Sequence, residues 1–162
     1  NTVVKKFPEV KLTLVGEGNR LQEYKSLVTD LGLSNLVEFT GWLNNQEIQT
    51  LAAKCSIGIF PSRIESFGLS VVEAMATGLP VIAARGGAVL ENIEDGVTGT
   101  LVPVNNSDAL AAAINKALEN PQYSKTMAIA AKSAVNKKFS WDRAADSMIE
   151  IYKNLCMKTS ST

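Results

Sequence analysis

Residues 60–84 read FPSRIESFGLSVVEAMATGLPVIAA, and this stretch decides the fold. The apolar run at residues 56–60 predicts a buried strand, and residues 81–84 predict a second one. Between the two strands, apolar residues recur every three or four positions, which is the spacing of one helix face. Gly78 marks the end of that helix, because glycine adopts the left-handed conformation that closes many helices. We therefore predict a crossover helix at residues 66–77 of a βαβ unit, whose two strands must be parallel.

The start of this helix is a predicted phosphate site. The first backbone N–H groups of a helix have no partner within the helix, and the helix dipole is positive there. Gly68 lets a ligand approach that backbone closely, and a phosphate or pyrophosphate suits such a site. Glu65 precedes the helix and Glu73 lies on it. Two acids beside an anion site make sense if they accept hydrogen bonds from the hydroxyls of a sugar and of a ribose. On spacing alone, two solvated glutamates on a helix face are the commoner explanation.

The stretch resembles the signature of the retaining glycosyltransferases of GT-B architecture, the large group 1 family. The shared pattern is Pro-Ser-x-x-Glu-Ser-Phe-Gly-Leu-Ser-x-x-Glu-Ala-Met-Ala-x-Gly-Leu-Pro-Val-Ile. In that family the motif lies in the C-terminal, nucleotide-sugar-binding domain. The resemblance implies that Glu65 is catalytic and contacts the donor sugar near the reacting carbon, and that Glu73 holds the ribose hydroxyls. It also implies that the donor lies along the loop and helix start, with the diphosphate on the N–H groups of Gly68, Leu69 and Ser70 and further contacts at Ser66 and Phe67.

Two loops earlier in the chain are further candidates for the donor site. Gly16-Glu17-Gly18 follows a predicted strand at residues 10–15, but Gly-x-Gly alone is a weak phosphate signal and a tight turn is the simpler explanation. The resemblance places Gly16 at the rim of the donor cleft. Gly41, Trp42 and Leu43 follow a predicted strand at residues 36–40, and ligands of open α/β sheets bind beyond the carboxyl ends of strands. The resemblance implies backbone contacts from these three residues to the nucleotide base, with packing of the Trp42 ring as the alternative.

Strands and helices alternate along the chain, which predicts a doubly wound parallel sheet of the Rossmann-like, α/β class. Gly86 and Gly87 follow a strand, and we expect their backbone N–H groups to be bare at the start of a short helix and suited to oxygen-rich ligands. Later helices are predicted from Ser107, over residues 122–138 and from Ser140, with Trp141 in the core. One domain is predicted at residues 1–157, followed by a polar tail at residues 158–162.

Composition excludes several classes of function. The 162 residues include 16 acids, 16 bases and no histidine. The balance of charge gives no support for a nucleic-acid partner, and the lack of histidine removes His-based catalysis and most zinc sites. We expect no metal and no cofactor, with a nucleoside-diphosphate sugar as donor substrate. No signal peptide or transmembrane run is visible, and Cys55 and Cys156 resemble buried free thiols. These features predict a cytoplasmic protein, with the inner face of the membrane as a second location.

The resemblance also implies parts that these residues lack. In the family this domain begins with one more strand and a loop whose Arg and Lys neutralise the diphosphate, and an N-terminal domain binds the acceptor sugar, glycan or lipid. We therefore expect this chain to be a piece of a longer protein, with a sheet edge or a central gap where that strand would lie. Each missing charge-assisted contact is worth about 1.5–3 kcal/mol, so the chain alone is expected not to turn over.

Three other functions fit parts of the pattern. A nucleotide-sugar epimerase shares this architecture, but such enzymes usually use histidine. A non-catalytic nucleotide-sugar-binding module is compatible with the intact Glu65, Gly68 and Glu73. A hydrolase with Glu65 and Glu73 as its acid and base is less compatible with the strand–loop–helix context of a phosphate site. The base, the sugar and the acceptor stay open.

Overall fold

The computed structural model describes residues 2–159, with side chains described as far as Cys156. Along the chain the elements are α1 (Thr2–Lys6), β1 (Leu12–Val15), α2 (Leu21–Asp30), β2 (Val37–Gly41), α3 (Asn45–Ala52), β3 (Gly58–Phe60), α4 (Leu69–Thr77), β4 (Val81–Ala84), α5 (Val89–Asn92), β5 (Thr100–Val102), α6 (Ser107–Glu119), α7 (Pro121–Lys138) and α8 (Trp141–Thr159). The predicted alternation of strands and helices is confirmed.

All five strands are parallel to their neighbours, as predicted, but they form two sheets. In one, β1 pairs with β2; in the other, β4 lies between β3 and β5. In the common doubly wound order, the first strand of the fold lies between the second and the fourth. Among the described residues no strand joins β1 to β3, so the break falls at the place of that strand. A central gap is one of the two outcomes, a sheet edge or a central gap, that the resemblance implies.

The crossover helix α4 begins at Leu69, so the predicted start at Ser66 is wrong. Gly68 is the N-cap, with a left-handed φ of 75° that an ongoing helix cannot include. The first helical bond runs from the Val72 N–H to the Gly68 carbonyl at 3.0 Å. At the other end Gly78 is also left-handed, with φ 86°, as the sequence predicts. Ser66 and Phe67 therefore belong to the loop that leads into the helix.

The hydrophobic core lies in the second half of the chain. All the side chains that the structure buries belong to residues 71–135. Every residue of β4 is buried, and α4 packs against α7 on one side and against α3 on another. The largest fully buried side chains are Met75, Ile82, Val71, Val81 and Val89. The helix whose start carries the predicted phosphate site thus contributes Val71 and Met75 to the centre of the core.

The first half of the chain buries much less. The apolar residues Tyr24, Leu27 and Leu31 have the spacing of one helix face, yet all three are exposed, and so are Leu12 and Leu14 of β1. The spacing of apolar residues indicates which face of a helix is apolar, but it does not show whether another element packs against that face. These faces lie on the β1–β2 side of the break between the sheets.

The last helix, α8, contributes no buried side chain to the core among its described residues. Trp141 is 90% exposed, so the prediction that it is a core residue is wrong, and every side chain described from Trp141 to Cys156 is exposed. Cys156 is therefore not the buried residue that we predicted, whereas Cys55 is half-buried and packs against the core. The helix continues through Lys158, so the predicted polar tail is helical at its start, and residues 160–162 lie outside the described residues.

Candidate functional site

The start of α4 offers backbone donors to a ligand. Gly68 itself is buried, while Leu69 and Ser70 are exposed. Among the residues that the structure describes, no protein acceptor pairs with the N–H groups of these three residues, as expected for the first turn of a helix. Together with the positive end of the helix dipole, they form a site that suits a phosphate group.

Two carboxylates flank these donors. Glu73 is exposed on α4, four residues after Leu69 and therefore on the same face of the helix. Glu65 is half-buried in the loop before the helix. Among the described residues, neither side chain makes a hydrogen bond or an ion pair, so both are available to the hydroxyls of a ligand. The predicted grouping of Glu65, Ser66, Phe67, Gly68, Leu69, Ser70 and Glu73 is a continuous stretch of loop and helix.

The backbone of the loop that carries Glu65 packs closely against Gly86 and Gly87. A Cβ added to Gly86 would overlap the carbonyl oxygen of Arg63, and one added to Gly87 would overlap the carbonyl oxygen of Glu65. The Ala88 N–H donates to that Glu65 carbonyl at 2.9 Å. We predicted bare N–H groups at this glycine pair; the Gly86 N–H instead donates to the Ala84 carbonyl at 2.8 Å, whereas the Gly87 N–H has no acceptor among the described residues. The pair therefore makes room for the backbone of the Glu65 loop.

Replacing Gly87 with alanine tests this close approach. Gly87 has φ +57°, and Gly32, which has φ +67°, lies in open space. Both alanine variants incur the left-handed strain of about 1–2 kcal/mol, but only Gly87→Ala also forces the Glu65 backbone to move, at a further cost of about 1–3 kcal/mol. Urea unfolding of the two variants measures the difference. Equal losses of unfolding free energy would show that the contact with Glu65 is not tight.

A second group of predicted residues meets at the ends of β1 and β2. The Gly16 N–H donates to the Gly41 carbonyl at 2.8 Å, and both glycines have positive φ, 117° and 71°. Trp42 is 71% exposed, so neighbouring residues cover little of its surface. Glu17, which the sequence analysis did not single out, accepts from the Trp42 N–H at 3.5 Å. Its position between two glycines at a strand end was the available signal.

Leu43 faces a different space. It is half-buried and lines a cavity of about 440 Å³ between β2 and α3, together with Thr40, Asn44 and Glu47 among others. Of the residues predicted to bind the donor, Leu43 alone lines this cavity. The two groups of candidate residues are connected through α3, which follows Leu43 and packs against α4.

The two arginines near the motif, Arg63 and Arg85, differ in whether they form an ion pair. Arg85 forms an ion pair with Asp95, whose other carboxylate oxygen accepts from the Leu101 N–H at 2.9 Å. This pair ties the end of β4 to the loop before β5 and leaves Arg85 engaged. Arg63 is exposed in the Glu65 loop and pairs with no acid among the described residues.

Within residues 2–159, no group of three or more His, Cys, Asp or Glu side chains is placed to hold a metal ion. In the same part of the chain, no helix combines the length and the apolar character that crossing a bilayer requires.

Comparison with known proteins identifies the family. A family model described as "Glycosyl transferases group 1" matches residues 2–134, which include both groups of candidate residues. The chain belongs to this family. Membership gives the paired glutamates a context that their spacing alone does not supply. The fold is accordingly the Rossmann-like C-terminal half of the GT-B architecture, as predicted.

Individual members of the family show how the chain relates to longer proteins. The chain is 38% identical over 135 residues to an alpha-1,3/1,6-mannosyltransferase, ALG2, of Dictyostelium discoideum, covering 83% of the chain and 32% of that protein. It is similar to Anabaena Alr3699/HepE in complex with UDP-glucose, with TM-score 0.78, 31% identity, and coverage of 99% and 44%. It is also similar to the C-terminal domain of a group 1 family protein, LpcC, of Francisella tularensis, with TM-score 0.77, 28% identity, and coverage of 86% and 74%. The chain thus spans less than half the length of the first two.

Proposed function

We propose that this domain binds the nucleoside-diphosphate sugar of a retaining, metal-independent glycosyltransferase, which transfers a hexosyl group to an acceptor hydroxyl. One observation carries the proposal: the N–H groups of Gly68, Leu69 and Ser70 lack protein partners, and the side chains of Glu65 and Glu73 are available on either side of them. In a member of the group 1 family, that combination fits a sugar, a diphosphate and a ribose in sequence.

The diphosphate occupies the start of α4. Transfer of the sugar breaks the bond between the anomeric carbon and the diphosphate oxygen, so negative charge develops on the leaving diphosphate. Fixed N–H donors and a helix dipole stabilise such charge without reorganising during the reaction. The packing of α4 against α3 and α7 holds these donors in place.

Each of the two glutamates binds a different sugar of the donor, either the ribose or the transferred hexose. Glu73, on the solvent side of α4, accepts hydrogen bonds from the ribose hydroxyls. Glu65 accepts hydrogen bonds from the hydroxyls of the transferred sugar, and its negative charge stabilises the positive character of the anomeric carbon in the transition state. Gly41, Trp42 and Leu43 contact the base with backbone groups, and Gly16 lies at the rim of the donor cleft.

Relatives support the donor class. The similar Dictyostelium protein is a mannosyltransferase, and Alr3699/HepE has been solved with UDP-glucose. These proteins support a hexose on a nucleoside diphosphate, and the UDP-glucose complex supports uridine as one candidate base. The acceptor is bound by a further domain, and the domain described here is not expected to transfer sugar alone.

Titration with nucleotides tests the proposal. The chain is titrated with UDP, GDP and ADP and with their glucose or mannose conjugates, with and without EDTA, and amide shifts are followed by NMR. Saturable shifts at residues 41–43 and 68–73 that persist in EDTA are the expected result. A lack of saturable shifts with every nucleotide, or shifts confined to other surfaces, would overturn the proposal. Binding that requires a divalent cation would overturn its metal-independent part.

A further inference from the structure

Asn92, the last residue of α5, touches the loop at the start of α4. Its side-chain amide donates from Nδ2 to the Phe67 carbonyl at 2.6 Å. The same Nδ2 lies 3.5 Å from the position that a Cβ on Gly68 would take, so the amide packs directly beneath the N-cap of α4. Asn92 is half-buried and 25 residues away from Phe67 along the chain, so the contact is a tertiary one.

Lys138, at the end of α7, fixes the orientation of the Asn92 side-chain amide. Its Nζ donates to the Asn92 Oδ1 at 3.3 Å and to the Glu91 carbonyl at 2.6 Å. An ammonium group has only donors, so it selects the amide oxygen and turns the NH₂ group towards Phe67. The next residue, Phe139, meets the Phe67 ring edge to face, with ring centroids 5.6 Å apart. Two elements therefore hold Phe67, although its side chain is 49% exposed.

The geometry of the peptide bond links this contact to the phosphate site. The Phe67 C=O and the Gly68 N–H belong to one peptide unit, which is planar and trans, so the two groups point in opposite directions. Because Asn92 holds the Phe67 carbonyl, the Gly68 N–H is directed away from Asn92. Without that bond, the peptide unit beside a glycine would rotate easily, since glycine tolerates a wide range of φ.

We propose that Asn92 is a positioning residue of the donor site, which orients the Phe67–Gly68 peptide so that the Gly68 N–H faces the diphosphate. The proposal rests on the proposed function, because it assumes that a diphosphate binds at the start of α4. Asn92 makes no contact with the donor itself. Lys138 is its partner, and together they connect the ends of α5 and α7 to the first turn of α4.

The Asn92→Asp variant tests this role. Aspartate has the same shape and keeps an acceptor for Lys138, but it replaces the donor at Phe67 with a negatively charged oxygen. The carbonyl and the carboxylate then repel each other, and the peptide unit turns away. Asn120→Asp is the matched control, because the Asn120 Nδ2 also donates to a backbone carbonyl, that of Lys116 at 3.0 Å, and lies in the turn between α6 and α7. Asn92→Ala removes the bond without adding charge.

The measurements are the affinity for UDP or GDP, whichever the unmodified chain binds more tightly, and the amide shifts of the nucleotide-free protein. Both Asn92 variants are expected to bind the nucleotide roughly three- to tenfold more weakly, as for the loss of one hydrogen bond. The Gly68 and Leu69 amide signals shift before any nucleotide is added, and Asn120→Asp changes neither quantity. A purely structural role would lower the thermal stability without a selective shift at Gly68 and Leu69.

The outcomes separate the two proposals. If the unmodified chain binds nucleotide and the Asn92 variants bind it equally well, the positioning role is overturned and the proposed function stands. If the unmodified chain binds no nucleoside diphosphate, the proposed function fails and the positioning role fails with it. Should Asn92→Asp unfold, Asn92→Ala decides by the same criteria.

Discussion

The Glu65→Ala variant is expected to bind a nucleotide sugar no more tightly than it binds the bare nucleoside diphosphate. In the proposed site Glu65 contacts only the sugar, so its loss removes the contribution of the sugar and leaves that of the diphosphate and the base. Hydrogen bonds to a charged group contribute about 1.5–3 kcal/mol, which corresponds to a roughly 10- to 150-fold loss for the nucleotide sugar. Calorimetric titration with UDP-glucose or GDP-mannose, and with UDP or GDP, measures both affinities.

A larger effect of the same variant is expected on sugar transfer. When this domain acts together with an acceptor-binding domain, the negative charge of Glu65 lies beside the anomeric carbon as positive character develops there. Losing one such preorganised interaction typically costs about 10²–10³ in kcat. Glu94→Ala is a suitable control, because Glu94 also lies outside a helix and its removal changes the net charge equally. Near-normal transfer by Glu65→Ala would exclude a catalytic role for Glu65.

The Glu73→Ala variant is expected to weaken the binding of the nucleoside diphosphate and of the nucleotide sugar by the same factor. The ribose is common to both ligands, so the loss of its two hydrogen bonds affects them equally, by about 10-fold or more. Alanine at this position maintains α4, because it is a good helix former. Glu150→Ala removes a charge from an exposed position on α8 and serves as the control.

The two glutamate variants together form a crossed test. Loss confined to the sugar conjugate in Glu65→Ala, with equal loss for both ligands in Glu73→Ala, assigns the sugar to one glutamate and the ribose to the other. The opposite pattern would reverse the direction of the donor along α4. If neither variant changes either affinity, the pair is no more than a solvated face of the loop and helix.

The motif around α4 was predictable from sequence because its signals are local. The spacing of apolar residues indicated the helix, and Gly78 indicated its end. The start was placed three residues too early, at Ser66, because the residues after Pro61 carry no capping signal that singles out Leu69. A left-handed Gly68 at the N-cap is a conformational choice that the neighbouring residues permit but do not impose.

Both tryptophans show that the spacing of apolar residues does not by itself predict which residues are buried. Trp42 and Trp141 each occur at a position where packing was a reasonable expectation, and both are largely exposed. Burial depends on whether another element covers a residue, and the β1–β2 unit and α8 present apolar residues that the described chain does not cover. Helix α2 likewise carries apolar residues at the spacing of one helix face, and Tyr24, Leu27 and Leu31 of that segment are exposed.

The sequence by itself determined the order of the elements, the parallel strands and the grouping of Glu65, Gly68 and Glu73, because these follow from periodicity, from turn residues and from the geometry of a crossover connection. Only the tertiary structure decided how that grouping is held. The closeness of Gly87 to the Glu65 backbone and the bonds that join Phe67 to Asn92 and Asn92 to Lys138 connect residues that are 22, 25 and 46 positions apart. Such contacts depend on the packing of α4, α5 and α7 in three dimensions, and no local spacing of residues encodes them.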